Sequence, residues 1–456
     1  MTPVPSQTPE CQPTSEKCES LPQPRWSSPR RFMFRFLFCY VMLFGTFCIQ
    51  FMIGLPWYFL TGKFVSSPLD PLWGVVVPWV ARHALHFSKE IPYAVADQGD
   101  TLSDYIVLFA CIVLALTATG VWSVLDRRRT NYARLDQWLR LVMQCLLAGI
   151  LFSYGFDKVF PVQFGNVTPG QMMGRLGDLP PMDLLWALMA ASKPYTIFSG
   201  LLEVSAGILL LLPRLRFLGA TLAIIVLTNI FALNLAYDVS VKSLSLQYLL
   251  MATYLAAPEC SNLVSLLVLS RPVAPKPEVA LSNKLAVTRW AWIAEGVVGL
   301  LLFLLAFAGG AQAYTKSVAR STSSPFIGVW KVVDFGVSGD PHRSPLTDKL
   351  AAKLQLSSGE QRWKKLVFEP WGSLVIQYPN GELQRARLKL HSDNAHGDLS
   401  DGSDKTWNGH LSLQRAGPKS LTLQGNVNGV ELSAKLAWDV PLFPLTSGPY
   451  HIVQDW

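Results

Sequence analysis

The sequence predicts a membrane α-helical bundle of about seven spans, followed by a small antiparallel β domain, either an open sheet or a small barrel. Three observations carry this. Of the 456 residues, 50% are hydrophobic and only 15% are charged, against about 25% charge in an ordinary soluble domain. Seven apolar runs approach the roughly 20 residues needed to cross about 30 Å of hydrocarbon. After residue 320 the apolar pattern changes to a two-residue alternation broken by turn residues, which is the signature of strands.

Residues 1–31 are polar and rich in Pro, Ser and Gln, ending in "SSPRRF". They read as a disordered cytoplasmic tail running into a stop of positive charge, with no signal peptide at the start. The apolar runs lie near 32–55, 104–125, 138–158, 195–213, 215–237, 242–257 (extendable by 262–269) and 290–312. The chain divides accordingly into 32–137, two spans with an interfacial loop; 138–270, a four-helix core; 271–319, a cytoplasmic linker with the last span; and 320–456, the β domain.

Charge orients these spans. Arg25, Arg30 and Arg31, then Arg127, Arg128, Arg129 and Arg134, then Arg214 and Arg216, then Arg271, Lys276, Lys284 and Arg289 all fall in loops on one side. The longer loops of the other side hold Lys63, Arg82, Lys89, Lys158, Arg175, Lys193 and Lys242. The positive-inside rule then gives a cytoplasmic N-terminus, an odd number of spans and an extracytoplasmic β domain. A multi-pass protein of a bacterial inner membrane fits this pattern.

Two of the outer loops are long. Residues 61–103 contain "PLWGVVVPWVARHALHF", too short to cross and amphipathic enough to lie in the interface. Residues 159–194 are punctuated by Pro and Gly and read as a cap over the outer mouth. In 320–456, Asn380-Gly381 and Asn428-Gly429 each separate alternating runs, a hairpin signal because type I′ turns need positive φ. About six to eight strands are expected.

Several chemistries are disfavoured. The net charge of +8 is spread between apolar spans and forms no nucleic-acid footprint. The seven cysteines include no C-x-x-C pair, which argues against a disulfide framework or a thiolate metal site. None of the seven histidines lies in an apolar span, so bis-histidine haem in the bundle is not expected. P-loop, H-E-x-x-H and G-x-S-x-G motifs are absent. No cofactor ligand is evident. Asp97, Asp100 and Asp104 form an acidic group at the outer mouth, readable as a weak cation site or as a solvated helix start with Ser103 or Asp104 as N-cap.

The candidate site lies among polar residues at the outer ends of the spans. The third span ends "AGILFSYGFDKVFPVQF", with Tyr154, Asp157 and Lys158 in one turn. Glu203 falls near the middle of the fourth span, among Gly200, Ser205, Ala206 and Gly207. The fifth brings Asn229 and Asn234, then Tyr237, Asp238 and Lys242 at the same level, and the sixth brings Gln247. A carboxylate in mid-membrane costs at least about 3 kcal/mol unless paired or neutral. Glu203 is therefore expected to be protonated or to meet Lys158 or the asparagines, with small neighbours allowing close packing. Taken singly, the tyrosines also read as interfacial anchors, Lys158 as a snorkelling side chain, and the amides as interhelical glue.

Residues 138–269 resemble the DoxX-like family of four-helix membrane proteins. The likeness rests on "RLVMQCLLAGILFSYGFDKVFP" with its aromatic-Gly-x-x-Lys ending, "FSGLLEVSAGILLLLPRLRFLGA", and "NIFALNLAYDVSVK". It implies a membrane protein associated with redox or oxidative-stress complexes. Tyr154, Lys158, Glu203, Asn234 and Tyr237 would then line a site for a quinone headgroup, an anion or a partner's redox group. The extra helices and the β domain lie outside the minimal family. If catalytic at all, the chain would be an accessory subunit of a membrane oxidoreductase. The competing reading is a non-enzymatic scaffold or lipid/anion carrier whose β domain recruits a membrane or periplasmic partner. "IGVWKVVDF" resembles the Gly-x-Trp first strand of lipocalin-like barrels, which implies that Trp330 plugs one barrel end and that the interior holds a lipophilic ligand.

Overall fold

In a computed structural model, helices occupy the first two thirds of the chain and a closed barrel the last. The residues described are 25–63, 69–93, 99–272, 281–282, 284–321, 324–338, 361–391, 395–400, 408–440 and 443. Most of the expected N-terminal tail, with Asp97, Lys276, His342 and His451, lies outside them. The helices are α1 (Ser28–Thr61), α2 (Asp70–His83), α3 (Leu102–Leu125), α4 (Ala133–Val159), α5 (Pro169–Met173), α6 (Pro181–Ala191), α7 (Lys193–Leu211), α8 (Arg216–Ala236), α9 (Lys242–Leu267) and α10 (Leu285–Ser321).

Six of them, α1, α3, α4, α7, α8 and α10, are long and apolar enough to cross a membrane. The expected seventh, α9, forms as one helix of 26 residues with Pro258 inside it. At about 1.5 Å per residue it also has the length of a crossing, but Lys242, Gln247 and Glu259 make it less apolar than the others. The run 262–269 is therefore no separate helix. The tail gives way to α1 at Ser28 rather than 32, because Ser27 caps the helix on Arg30 N and Pro29 sits in its first turn.

Helix α4 is the axis of the bundle: 72% of its apolar stretch is buried, and it packs against α1, α7, α9 and α10. Gly155 on α4 faces Gly200 on α7. A Cβ on Gly200 would stand 2.8 Å from Lys158 Cβ, so only a hydrogen fits there. The interfacial segment forms α2, which buries Trp73, Val77, Val80 and Ala81 against Ile106, Val107, Ala110 and Cys111 of α3. Thr101, not Ser103 or Asp104, is the N-cap of α3; Asp104 closes a capping box from the third helical position. At the arginine-rich end, Arg35 donates to Tyr132 Oη at 2.9 Å, Ser123 Oγ at 2.8 Å and Asp126 O at 2.9 Å, tying α1 to the α3–α4 loop.

The barrel consists of β1 (Gly328–Val337), β2 (Lys365–Phe368), β3 (Ser373–Gln377), β4 (Leu383–Leu390), β5 (His396–Ser400), β6 (Asn408–Gly417), β7 (Ser420–Val427) and β8 (Val430–Asp439). Each strand pairs with the next, and β8 closes on β1. Asn428 and Gly429, at φ 52° and 80°, form the left-handed pair that a type I′ turn requires. At Asn380-Gly381 only Gly381 has positive φ, in a longer turn. Trp330 is fully buried, donates to Phe326 O at 2.8 Å and meets Trp438 edge-on at 5.0 Å. The inward residues, among them Leu366, Ile376, Leu411 and Leu423, pack against one another as a core.

Alternation leaves an outward row, Val329, Val367 and Val375, across β1–β3. Met173 of α5 packs on it. Glu369 accepts from Gly170 N at 3.1 Å, and Arg175 lies 3.4 Å from Glu382. The barrel is thereby docked on the 159–194 cap, at the end of the bundle where α4 finishes.

Candidate functional site

Lys158 sits in the last turn of α4, and Glu203 one face across on α7. The close approach at Gly155 and Gly200 brings them together: Lys158 Nζ lies 2.8 Å from Glu203 Oε1 and 2.9 Å from Oε2. Their side chains are 8% and 2% exposed. Lys158 also lies 5.5 Å from the ring centre of Tyr154, within cation–π range. Two charges removed from water are tolerable only because each neutralises the other in two-pronged contact.

On the other side of Tyr154 is a cavity of about 370 Å³. It lies between α1, α3, α4 and α9, and its walls include Tyr40, Phe44, Phe51, Tyr93, Tyr154 and Tyr248. Phe51 stacks on Tyr154 with centroids 4.9 Å apart. Tyr40 donates to Gln247 Oε1 at 2.5 Å, so the cavity has one polar pair set among aromatic faces. Near the barrel end it is lined by Asp100, Asp104 and Ser243. Asp100 accepts from Lys242 N at 2.5 Å and from Ser243 N at 3.0 Å, so it caps the start of α9 from the α3 side. The volume and lining suit a small ring compound.

The predicted site residues thus separate into groups. Tyr154, Lys158 and Glu203 come together, and Gln247 joins them through the cavity. Asn234 is buried but donates to Ser245 Oγ at 3.1 Å, joining α8 to α9. Asn229 is exposed on the outward face of α8. Tyr237 packs with Leu185 and Met189 of α6, in the cap. Asp238 and Lys242 pair at 2.7 Å across one turn, with Asp238 80% exposed.

Sequence reasoning missed the aromatic wall on α1. Phe36, Tyr40, Phe44, Phe47 and Phe51 recur at intervals of three and four, the spacing of one helix face, and Tyr40 stacks at 6.0 Å on Phe36 and 6.1 Å on Phe44. Glu295 on α10 is a second buried carboxylate: its side chain is 2% exposed and paired with Arg216, linking α8 to α10. On the barrel, His391 Nε2 and His410 Nδ1 lie 3.2 Å and 2.5 Å from the two oxygens of Asp398. Among the described residues, no group of three or more His, Cys, Asp or Glu is arranged to hold a metal ion.

No family model matches the chain, and no solved structure matches it. Over 99 residues, 22% of its length, the chain is 36% identical to an uncharacterised protein, YwoB, of Bacillus subtilis (strain 168), and it covers 62% of that protein.

Proposed function

We propose that this chain is a multi-pass protein of a bacterial inner membrane, with a DoxX-like core, that binds a quinone-class ring beside Tyr154 and serves a partner oxidoreductase. On this reading α9 is the seventh span, the arginine-rich ends face the cytoplasm, and the barrel lies outside. The single observation behind it is the aromatic cavity of about 370 Å³, which Tyr154 joins to the buried Lys158–Glu203 pair. A quinone needs hydrogen-bond donors at two carbonyls and apolar faces for its ring. The Tyr154 hydroxyl and the Gln247 amide provide the first, and Phe44, Phe51 and Tyr248 the second. Electrons would come from the partner.

The test is to purify the full chain in mild detergent, extract its lipophiles for mass spectrometry, and titrate it with menadione, a neutral naphthoquinone. A stoichiometric quinone is expected, together with saturable menadione binding. Tyr154→Phe should weaken that binding about tenfold, the worth of one hydrogen bond. Bulk lipid alone, with no menadione binding, would refute the reading. The alternative is then a scaffold whose barrel recruits a partner, favoured by the open hollow of about 490 Å³ that His391, His396 and His410 line on the barrel.

A further inference from the structure

The cavity has a charge asymmetry that selects among ligands. Two carboxylates, Asp100 and Asp104, line it, and among the described residues no lysine, arginine or histidine does. Lys158 is paired with Glu203 and Lys242 with Asp238; the Lys242 charge also partly offsets Asp100, which leaves Asp104, among the described residues, as the wall carboxylate without a cation. The two hydrogen bonds that the Asp104 carboxylate accepts both run through Oδ2, from Thr101 N at 2.9 Å and Thr101 Oγ1 at 2.7 Å. Seven of the other lining residues are aromatic, and ring faces carry partial negative charge. Carboxylates and ring faces therefore act in the same direction: they attract a positive charge and repel a negative one.

The kind of cation follows from the apolar walls. A compact, strongly hydrated cation would lose its water shell to phenyl groups and gain little. A cation whose charge is spread over a ring system loses little on desolvation and keeps contact with the aromatic faces. We infer that the cavity binds lipophilic, charge-delocalised ring cations in preference to anions of the same size and shape, with Asp104 setting the preference. The inference rests on the reading of the cavity as a ring-binding site and adds the charge class. It turns away the anionic ligands that the sequence left open.

Tetraphenylphosphonium and tetraphenylborate make the comparison, since they share size and shape and differ in sign. Equilibrium dialysis of the full chain in nonionic detergent, with empty micelles as blank, measures each beside menadione. The phosphonium is expected to bind at least about tenfold more tightly than the borate, the scale of one desolvated cation–π contact. Asp104→Asn keeps an oxygen for the capping box. It should reduce that ratio several-fold. Equal binding of the two ions, or tighter borate binding, would overturn the charge preference and leave the ring-binding reading in place if menadione still binds. Failure of all three probes would overturn both. The two-ion comparison on the unaltered chain decides the matter even if the variant does not fold.

Discussion

Lys158 and Glu203 are a buried pair whose members cannot be removed singly without leaving a charge in the bundle. Replacing one, as in Lys158→Met or Glu203→Gln, should cost about 3 kcal/mol, while Lys158→Met with Glu203→Leu should cost much less than the sum. Thermal melts of the three variants in one detergent measure this; additive losses would mean that the pair is not coupled. Glu203 was legible in the sequence because a carboxylate in an apolar span demands a partner, and the lysine was one helix away. Asn229 was not separable from Asn234 by type, only by angle. Five residues turn a helix by about 140°, which takes one amide to the α9 contact and the other outward. On the barrel, hydrogen bonding from His410, and after it the nearby histidine charges, hold Asp398 below the usual carboxylate range. Its folded value is the lower one, so its stabilising contribution is complete above the unfolded value of about 3.9 and is lost as pH falls through the folded one. The Asp398 carboxyl resonance should therefore titrate below the ordinary midpoint, and His410→Ala should raise it.

The decisive contact between elements is that of α4 with α7. With hydrogens at Gly155 and Gly200, the two backbones approach closely enough for Lys158 to reach Glu203 without leaving the bundle. Gly200→Leu should force the helices apart, cost about 1–3 kcal/mol and weaken menadione binding by shifting α4, which carries Tyr154. An unchanged melting temperature would mean that this approach is not needed. Helix existence was readable from hydropathy nearly everywhere, since apolar runs of that length have one stable form in a membrane. The boundaries were less readable. Caps such as Ser27 and Thr101 lie outside the apolar runs, and α10 continues well past residue 312 to Ser321. The α1 aromatic stripe was present in the sequence, but such a stripe at helical spacing also describes an ordinary packing face, and only the position of α3 and α9 turns it into a wall.

At the scale of the whole molecule, the arginine-rich ends, the barrel and the cavity mouth order the chain from one side to the other. On the proposed topology, a reporter fused after Trp456 should be active only outside the membrane, and one fused at residue 1 only in the cytoplasm; activity of both on one side would mean an even number of crossings and would overturn that topology. A count of six to eight strands, with a barrel as one of two outcomes, was readable from alternation and turn residues, whereas the pairing that decides for the barrel was not, because β1–β8 joins residues about a hundred positions apart. That closure has a consequence for recognition. A ring of eight strands, each paired on both sides, leaves no edge strand among the described residues, so a visiting chain finds no whole strand edge to extend. What meets the paired strands is then distinguished by side-chain shape and charge, and the same closure guards those strands against stacking edge to edge with their own copies.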